Sequence, residues 1–298
     1  MVGIKLNKVK TFFKRINYKL VAVLVLAMIS TYFLSTYIIA NFKTEFAAVV
    51  ETEENIRDDV NAVMLKAEGK TPEQMSVVEN FVLAEYYLGK AENVAKNGLG
   101  KITAMGVTQG MFAKKYRKGN DYFIEEISSG VVSVAERQLY NIENASIDIF
   151  SGSNIKDDGS AKWSKDKKET LSYDDFKDKY GISPSDFIYY IVSSKTVKDS
   201  GKVETKANGN LVYFVELETN YSTMKYGKKI NVTSGATKIP KFESIKITFE
   251  IDNNWQFQQI RYQESYQVAI PALGSMYVPT KGDITENYTY SNVEFPKD

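Results

Sequence analysis

The sequence predicts an α+β chain: an N-terminal transmembrane helix, a helical stalk, then a curved antiparallel β-sheet with a short helical insertion. Three observations predict it. Residues Leu20 to Asn41 form a 22-residue run without a charged side chain. Apolar residues then recur at helical spacing as far as Asn97. From Gly98 onward the period becomes two, with turn residues between the runs. The divisions that follow are a basic tail over 1–19, a membrane helix over 20–41, stalk or packing helices over 42–97 and an extracytoplasmic β domain over 98–298.

As a helix, the run over 20–41 would be about 33 Å long, enough to cross a hydrocarbon core of about 30 Å. Leu20, Val21, Leu24, Leu26, Ile29, Phe33, Leu34, Ile38 and Ile39 supply its apolar surface. Ser30, Thr31, Ser35 and Thr36 can bond back to helix carbonyls. Lys5, Lys8, Lys10, Lys14, Arg15 and Lys19 precede the run, and the first acid is Glu45. Basic flanks stay cytoplasmic, so residues 42–298 are expected outside the cell membrane. The competing reading is a cleaved signal peptide. Its apolar region would usually be about 7–15 residues, shorter than this one, and Ile38-Ile39-Ala40 is a poor cleavage site.

Charge and composition narrow the function. The tail carries six of the 38 basic residues and none of the 37 acids, which leaves 32 and 37 outside, a net of −5. A nucleic-acid partner for the outer part is not expected, whereas the tail suits anionic inner-leaflet lipids. The chain has no Cys and no His. That excludes disulfides, a lipidated Cys anchor, Ser-His-Asp and Cys-His catalysis, and His or Cys metal sites. It fits a bacterial surface protein better than a secreted animal domain. No enzyme activity and no cofactor are expected.

Each element has its own signal. Phe42, Phe46, Val49, Val50, Ile56, Val60, Val63 and Met64 form a helical stripe, broken at Gly69-Lys70. Thr71-Pro72-Glu73-Gln74 reads as a capped helix start, with Val77, Val78, Phe81, Val82, Tyr86 and Leu88 as its apolar face and Asn97-Gly98 as its stop. Heptad spacing is not sustained, so packing on the sheet is favoured over a coiled-coil stalk. Tyr116-Arg-Lys-Gly-Asn-Asp-Tyr122 reads as strand, turn, strand. Ser129-Gly130 turns into a strand ending at Tyr140. Leu211, Tyr213, Val215 and Leu217 share a face, as do Ile245, Ile247, Phe249 and Ile251. Asp252-Asn253-Asn254 offers a hairpin turn, because Asn tolerates φ > 0. Apolar parity switches at Gln258-Gln259, which predicts a β-bulge. Ser172 to Gly181 reads as a capped helix with a glycine stop. Ser151 to Glu169 reads as an exposed loop. About ten strands are expected.

Tests for chemistry are mostly negative. Gly98-Leu-Gly100-Lys101 lacks the first glycine and the hydroxyl of a phosphate loop. Asn154, Asp158 and Gly159 sit at calcium-loop positions, but Lys156 and Lys165 occupy positions that need oxygen donors. Asp174, Asp175 and Asp178 alternate with lysines as a solvated face does. Glu250 and Glu264 form a candidate carboxylate pair across the hairpin. Sequons at Asn144, Asn220, Asn231 and Asn287 are read as an Asn- and Thr-rich strand surface. The remaining signal is aromatic. Tyr213, Trp255, Phe257, Tyr262 and Tyr266 are the candidate ligand-binding residues on a concave sheet face, with core packing as the plainer explanation.

Taken with the helix, meander and insertion, Tyr116-Arg-Lys-Gly-Asn-Asp-Tyr-Phe-Ile-Glu125 and Ile251-Asp-Asn-Asn-Trp-Gln-Phe-Gln-Gln-Ile260 resemble the LolA/LppX-like half-barrel of bacterial envelope proteins, over residues about 75–298. That resemblance implies a half-barrel whose concave face holds lipid or lipoprotein acyl chains. This chain departs from it in having no lipobox Cys and a transmembrane run instead. The expected function is a single-pass, membrane-anchored module of the cell envelope that binds a hydrophobic ligand or a surface protein. The alternative is an NTF2-like scaffold resembling the VirB8-type subunits of secretion or conjugation machines, which would carry about four to six strands per domain.

Overall fold

Alternation of period two begins at Asn93 and runs through twelve strands of one antiparallel sheet. The computed structural model describes residues 53–130, 133–141, 145–234, 238–270, 276–291 and 293–296. The predicted anchor over 20–41 and residues 42–52 of the predicted stalk lie outside the described residues. Among the described residues no helix is long and apolar enough to cross a membrane.

The strands are β1 (Asn93–Ala104), β2 (Val107–Lys118), β3 (Asp121–Ser129), β4 (Val134–Asn141), β5 (Ser146–Ser153), β6 (Lys162–Trp163), β7 (Glu169–Ser172), β8 (Val197–Thr205), β9 (Leu211–Leu217), β10 (Lys241–Ile251), β11 (Phe257–Ile270) and β12 (Met276–Thr289). Their order is β6-β5-β4-β3-β2-β1-β12-β11-β10-β9-β8, with β7 also on β5. Two meanders therefore meet in mid-sheet, where β1 pairs with β12 from Ala95↔Thr289 to Ala104↔Thr280. The sheet is open and curved. A single sheet of this size counts against the NTF2-like alternative.

The expected bulge is present. Glu250 pairs with Gln259 and Ile251 with Phe257, so Gln258 is the extra residue. The turn before it differs from expectation: the residue at positive φ is Trp255, at 55°, and neither asparagine. Asp252 Oδ1 accepts from the backbone N–H groups of Asn254 and Gln256, which holds that turn. At the sheet edge, β8 pairs only with β9 among the described residues and carries two register shifts. Exposed Lys198, Asp199, Lys202 and Glu204 complete an edge that resists further strand addition.

The helices correct three expectations. Helical structure stops at Lys90, and β1 already starts at Asn93, five residues before the expected boundary. Gly98, the expected stop, is a mid-strand residue, as is Gly100. A Cβ at Gly100 would lie 2.5 Å from the Asp283 carbonyl oxygen and 2.7 Å from Ile284 Cα, so β1 approaches β12 too closely there for a side chain. The Thr71 capping box starts only the 3-10 turn Pro72–Gln74. A second box, Ser76 with Glu79, starts the main helix, α2 (Val77–Lys90), after the short α1 (Val60–Ala67). As favoured over a stalk, α2 packs on the sheet. It lies on β8, β9 and β11 and buries Phe81, Leu83, Ala84 and Leu88.

The predicted insertion forms as α3 (Tyr173–Tyr180), capped by the Ser172 side chain and ended by Gly181 at φ 74°. A further helix, α4 (Met224–Ser234), was not expected. Its buried stripe is Gly227, Lys228 and Asn231, spaced as a helix face but not apolar. Asn231 therefore lies in a helix, not on the strand surface its sequon suggested. The loop expected over Ser151–Glu169 instead contains the end of β5, all of β6 and the start of β7. Between β6 and β5 the chain folds back so that Gly159 rests on the Phe112 ring.

Candidate functional site

The inner face of the sheet is set by register. Lys96 on β1 lies opposite Lys115 on β2 and Tyr288 on β12, while Glu286 lies opposite Gly98 and Ile260. On β11, Tyr262, Glu264 and Tyr266 follow on the same face. Period-two strands thus project three tyrosines, two lysines and two carboxylates inward. Over them runs the irregular segment 182–196, which brings Phe187, Ile188, Tyr190 and Val192 into the core, and beside it α4 brings Tyr226.

Buried polar bonds fasten that cover to the sheet. Lys96 Nζ donates to Glu286 Oε1 at 2.7 Å and to the Phe187 carbonyl at 3.0 Å. Tyr288 OH donates to the other Glu286 oxygen at 2.8 Å. Lys115 Nζ donates to the Asp186 carbonyl, and Lys229 on α4 pairs with Glu126 on β3. The Tyr189 ring sits among three ammonium groups, with Lys229, Lys96 and Lys115 at 4.8, 5.3 and 5.8 Å from its centroid. That geometry spreads cation–π attraction over one ring. Glu264 accepts hydrogen bonds from Tyr190 and Tyr226.

Two of these groups are displaced toward neutrality. Burial pushes the Lys115 amine down to about 7, assisted by the Lys96 charge and opposed by Asp186. Burial pushes the Glu264 carboxyl up to about 7, against the hydrogen bonds from Tyr190 and Tyr226. Glu126 goes the other way. Burial pushes it up, but Lys229, with Lys96 and Lys115 behind it, holds it below the usual carboxylate range. Lys115 and Glu264 are 2% and 5% exposed, and their polar atoms are spent on the cover. The arrangement ties cover to sheet and presents no group outward.

Glu264 has a measurable consequence. Its folded value of about 7 lies above the ordinary 4.5, so the protonated form favours the folded state. The penalty for ionising it grows as pH rises from about 4.5 to about 7 and is complete above that. Glu264→Gln should therefore stabilise the protein by up to about 3 kcal/mol at pH 8 and change little at pH 4. Urea unfolding of both proteins at the two pH values measures this. Equal differences at both would show that the carboxyl is not held neutral.

The five aromatic residues expected to share one ligand face fall into two groups. Tyr213, Trp255 and Phe257 surround α2. Phe257 lies 5.2 Å from Phe81, Trp255 Nε1 donates to Asn80 Oδ1 at 2.8 Å, and Tyr213 lies 5.6 Å from Phe249. Tyr262 and Tyr266 belong to the fastened region, with Tyr262 stacked on Tyr190 at 5.5 Å. All but Trp255 are nearly inaccessible beneath the chain's own cover. Glu250 and Glu264 do not form a pair. Glu250 lies opposite Gln259 and is held by Lys206 and Asn210, whereas Glu264 lies opposite Ile245. A depression of about 200 Å³ lies between Arg57, Asp58 and Val60, the α2 residues Val82, Glu85 and Tyr86, and Val192 of the cover, and none of the five aromatic residues lines it. Arg57 is committed there to Glu53 and Glu85.

Sequence reasoning missed Lys96, Lys115, Lys229 and Glu286. For the strand residues the signal was parity: Lys96 shares the face of Val94, and Glu286 shares that of Tyr288. No protein-family model matches the chain, and no curated protein matches it. Among solved structures, a DUF1329 family protein from Desulfovibrio piger ATCC 29098 is similar at 13% identity, over 71% of this chain and 92% of that one, with a TM-score of 0.24. A TM-score that low is no measure of shared architecture, and the fold rests on this chain's own strand pairing.

Proposed function

We propose that the chain is a single-pass, membrane-tethered module of a bacterial cell envelope, and that its inner sheet face takes up a hydrophobic acyl chain in exchange for the covering segment 182–196. The reading needs no catalysis and no cofactor. The tether is the run over 20–41, with the N-terminus cytoplasmic and the β domain outside. The open antiparallel sheet fits a half-barrel of the LolA/LppX-like kind.

One observation carries this reading. The cover is an irregular segment, fastened by buried polar bonds at Phe187, Asp186 and Tyr190, and it lays the Tyr190 ring on Tyr262 where a bound chain would lie. The segment is neither helix nor strand, so releasing it breaks these polar bonds and its side-chain packing but no strand ladder. A surface protein remains the other class of partner. The test uses the full chain in phospholipid vesicles with a diazirine-bearing fatty acid. Cross-links in peptides holding Tyr190, Tyr262 or Tyr266 are the expected result. Cross-links confined to residues 20–41 would overturn acyl-chain binding.

A further inference from the structure

The end of the sheet that carries the β1–β2 and β11–β12 turns combines two features that the core does not use. The first is charge. Residues 93–120, 219–242 and 265–282 contain no acid, and the pairings Ala104↔Thr280, Lys241↔Gln267 and Ile270↔Met276 bring parts of all three stretches to this end. Lys101, Lys241 and Lys281 are exposed there, with Lys241 lying 4.3 Å over the Tyr277 ring. The second is apolar exposure. Met105 is 67% exposed, Met276 62% and Val107 42%.

Met105 is the more telling of these. It turns the hairpin at φ 52°, followed by Gly106 at φ 76°. Asn, Asp or Gly would sit in that conformation at less cost. A large apolar side chain held there in water serves neither the turn nor the core. Single exposed apolar residues are ordinary, but three at adjoining turns, beside exposed lysines, match a surface that enters the interface of an anionic bilayer; Asp283, opposite Lys101, and Glu243, bonded to Ser265 and Gln267, sit back from the tips.

We propose that this end docks on an anionic phospholipid leaflet, with Met105, Val107 and Met276 entering the interface and the lysines meeting headgroup phosphates. The occupant follows from charge and from reach. Residues 42–298 carry a net of −5, so an anionic leaflet repels the rest of the surface and admits this end. Residues 42–52 separate the described chain from the apolar run and can span at most about 40 Å. A leaflet is therefore always within reach, at high effective concentration. This second argument rests on the tethered reading; the charge argument does not.

The chain has no Cys, so single substitutions label cleanly. The full chain, carrying Met105→Cys or Met276→Cys with an environment-sensitive fluorophore, is placed in vesicles of phosphatidylglycerol with phosphatidylcholine, or of phosphatidylcholine alone. The expected result is at least twofold stronger quenching by a lipid-borne quencher in the anionic vesicles. High salt and the triple variant K101E/K241E/K281E should abolish it, and a label at Val203→Cys on β8 should stay water-like throughout. Labels at Met105 and Met276 as water-exposed as that at Val203 would overturn the proposal. So would burial that is independent of lipid charge and accompanied by cross-links between copies, which would mark a contact between chains. Alkaline extraction of the same vesicles tests the tether separately, and the label decides the docking whether or not the chain is extracted.

Discussion

Glu286→Ala should cost the fold about 3–5 kcal/mol, because it strands a buried ammonium. Lys96 is 3% exposed, and Glu286 is its only carboxylate partner within ion-pair distance among the described residues. Water cannot replace that partner while segment 182–196 covers the site. Lys115 lies directly opposite on the neighbouring strand, and its charged form adds like-charge repulsion. The substitution also releases the Tyr288 hydroxyl from its acceptor. Urea unfolding gives the loss. The double variant Lys96→Met/Glu286→Leu should recover most of it, since replacing both members by apolar groups leaves no charge to solvate. A loss below about 1 kcal/mol in the single variant would mean that the ion pair is hydrated and the cover loose.

Phe81→Ala should cost a similar amount, about 3–5 kcal/mol, by a different route. The ring is fully buried and meets Phe249 at 5.1 Å and Phe257 at 5.2 Å, both edge to face. It ties α2 to β10 and β11 beneath it. Truncation leaves a cavity walled by β-strand side chains that cannot move inward without breaking ladder bonds. Thermal or urea denaturation measures the loss. Leu65→Ala on α1 is the matched control, since that side chain is 69% exposed and its removal should change stability by less than about 0.5 kcal/mol.

How far the sequence was legible depended on whether a local pattern sufficed. Ile245, Ile247, Phe249 and Ile251 announced β10 because apolar alternation is itself the cause of that strand's burial. The parity switch at Gln258 announced the bulge for the same reason. The Ser172 cap and the Gly181 stop marked α3 correctly, since caps act within a few residues. What failed was non-local. Asn97-Gly98 read as a stop, but Gly98 lies in mid-strand, and Gly100 beside it answers the approach of β12 from the far end of the chain. Helix α4 was missed because its buried stripe is Gly227, Lys228 and Asn231, which apolar periodicity cannot register. Alternation assigned Tyr262, Tyr266, Tyr213 and Phe257 to strand faces, but it could not say what would cover each face. That depended on α2 and on an irregular segment with no period at all. The same gap hid Lys96 and Lys115, whose residue type argues for solvent when the opposing layer is unknown.

The seam between the two meanders has a consequence for how the chain comes together. Lys96 and Glu286 meet across it although they are 190 residues apart in sequence. Each meander can form from neighbours as it emerges from synthesis, but β1 has no partner on its β12 side until the last strand is complete. The sheet therefore closes at its centre, and last. Until then the nascent domain exposes two open strand edges in place of one continuous ladder. Loop-closure entropy makes that final pairing slow. Any step that holds the C-terminal strand back would keep the domain unfinished and prone to pair with the wrong chain.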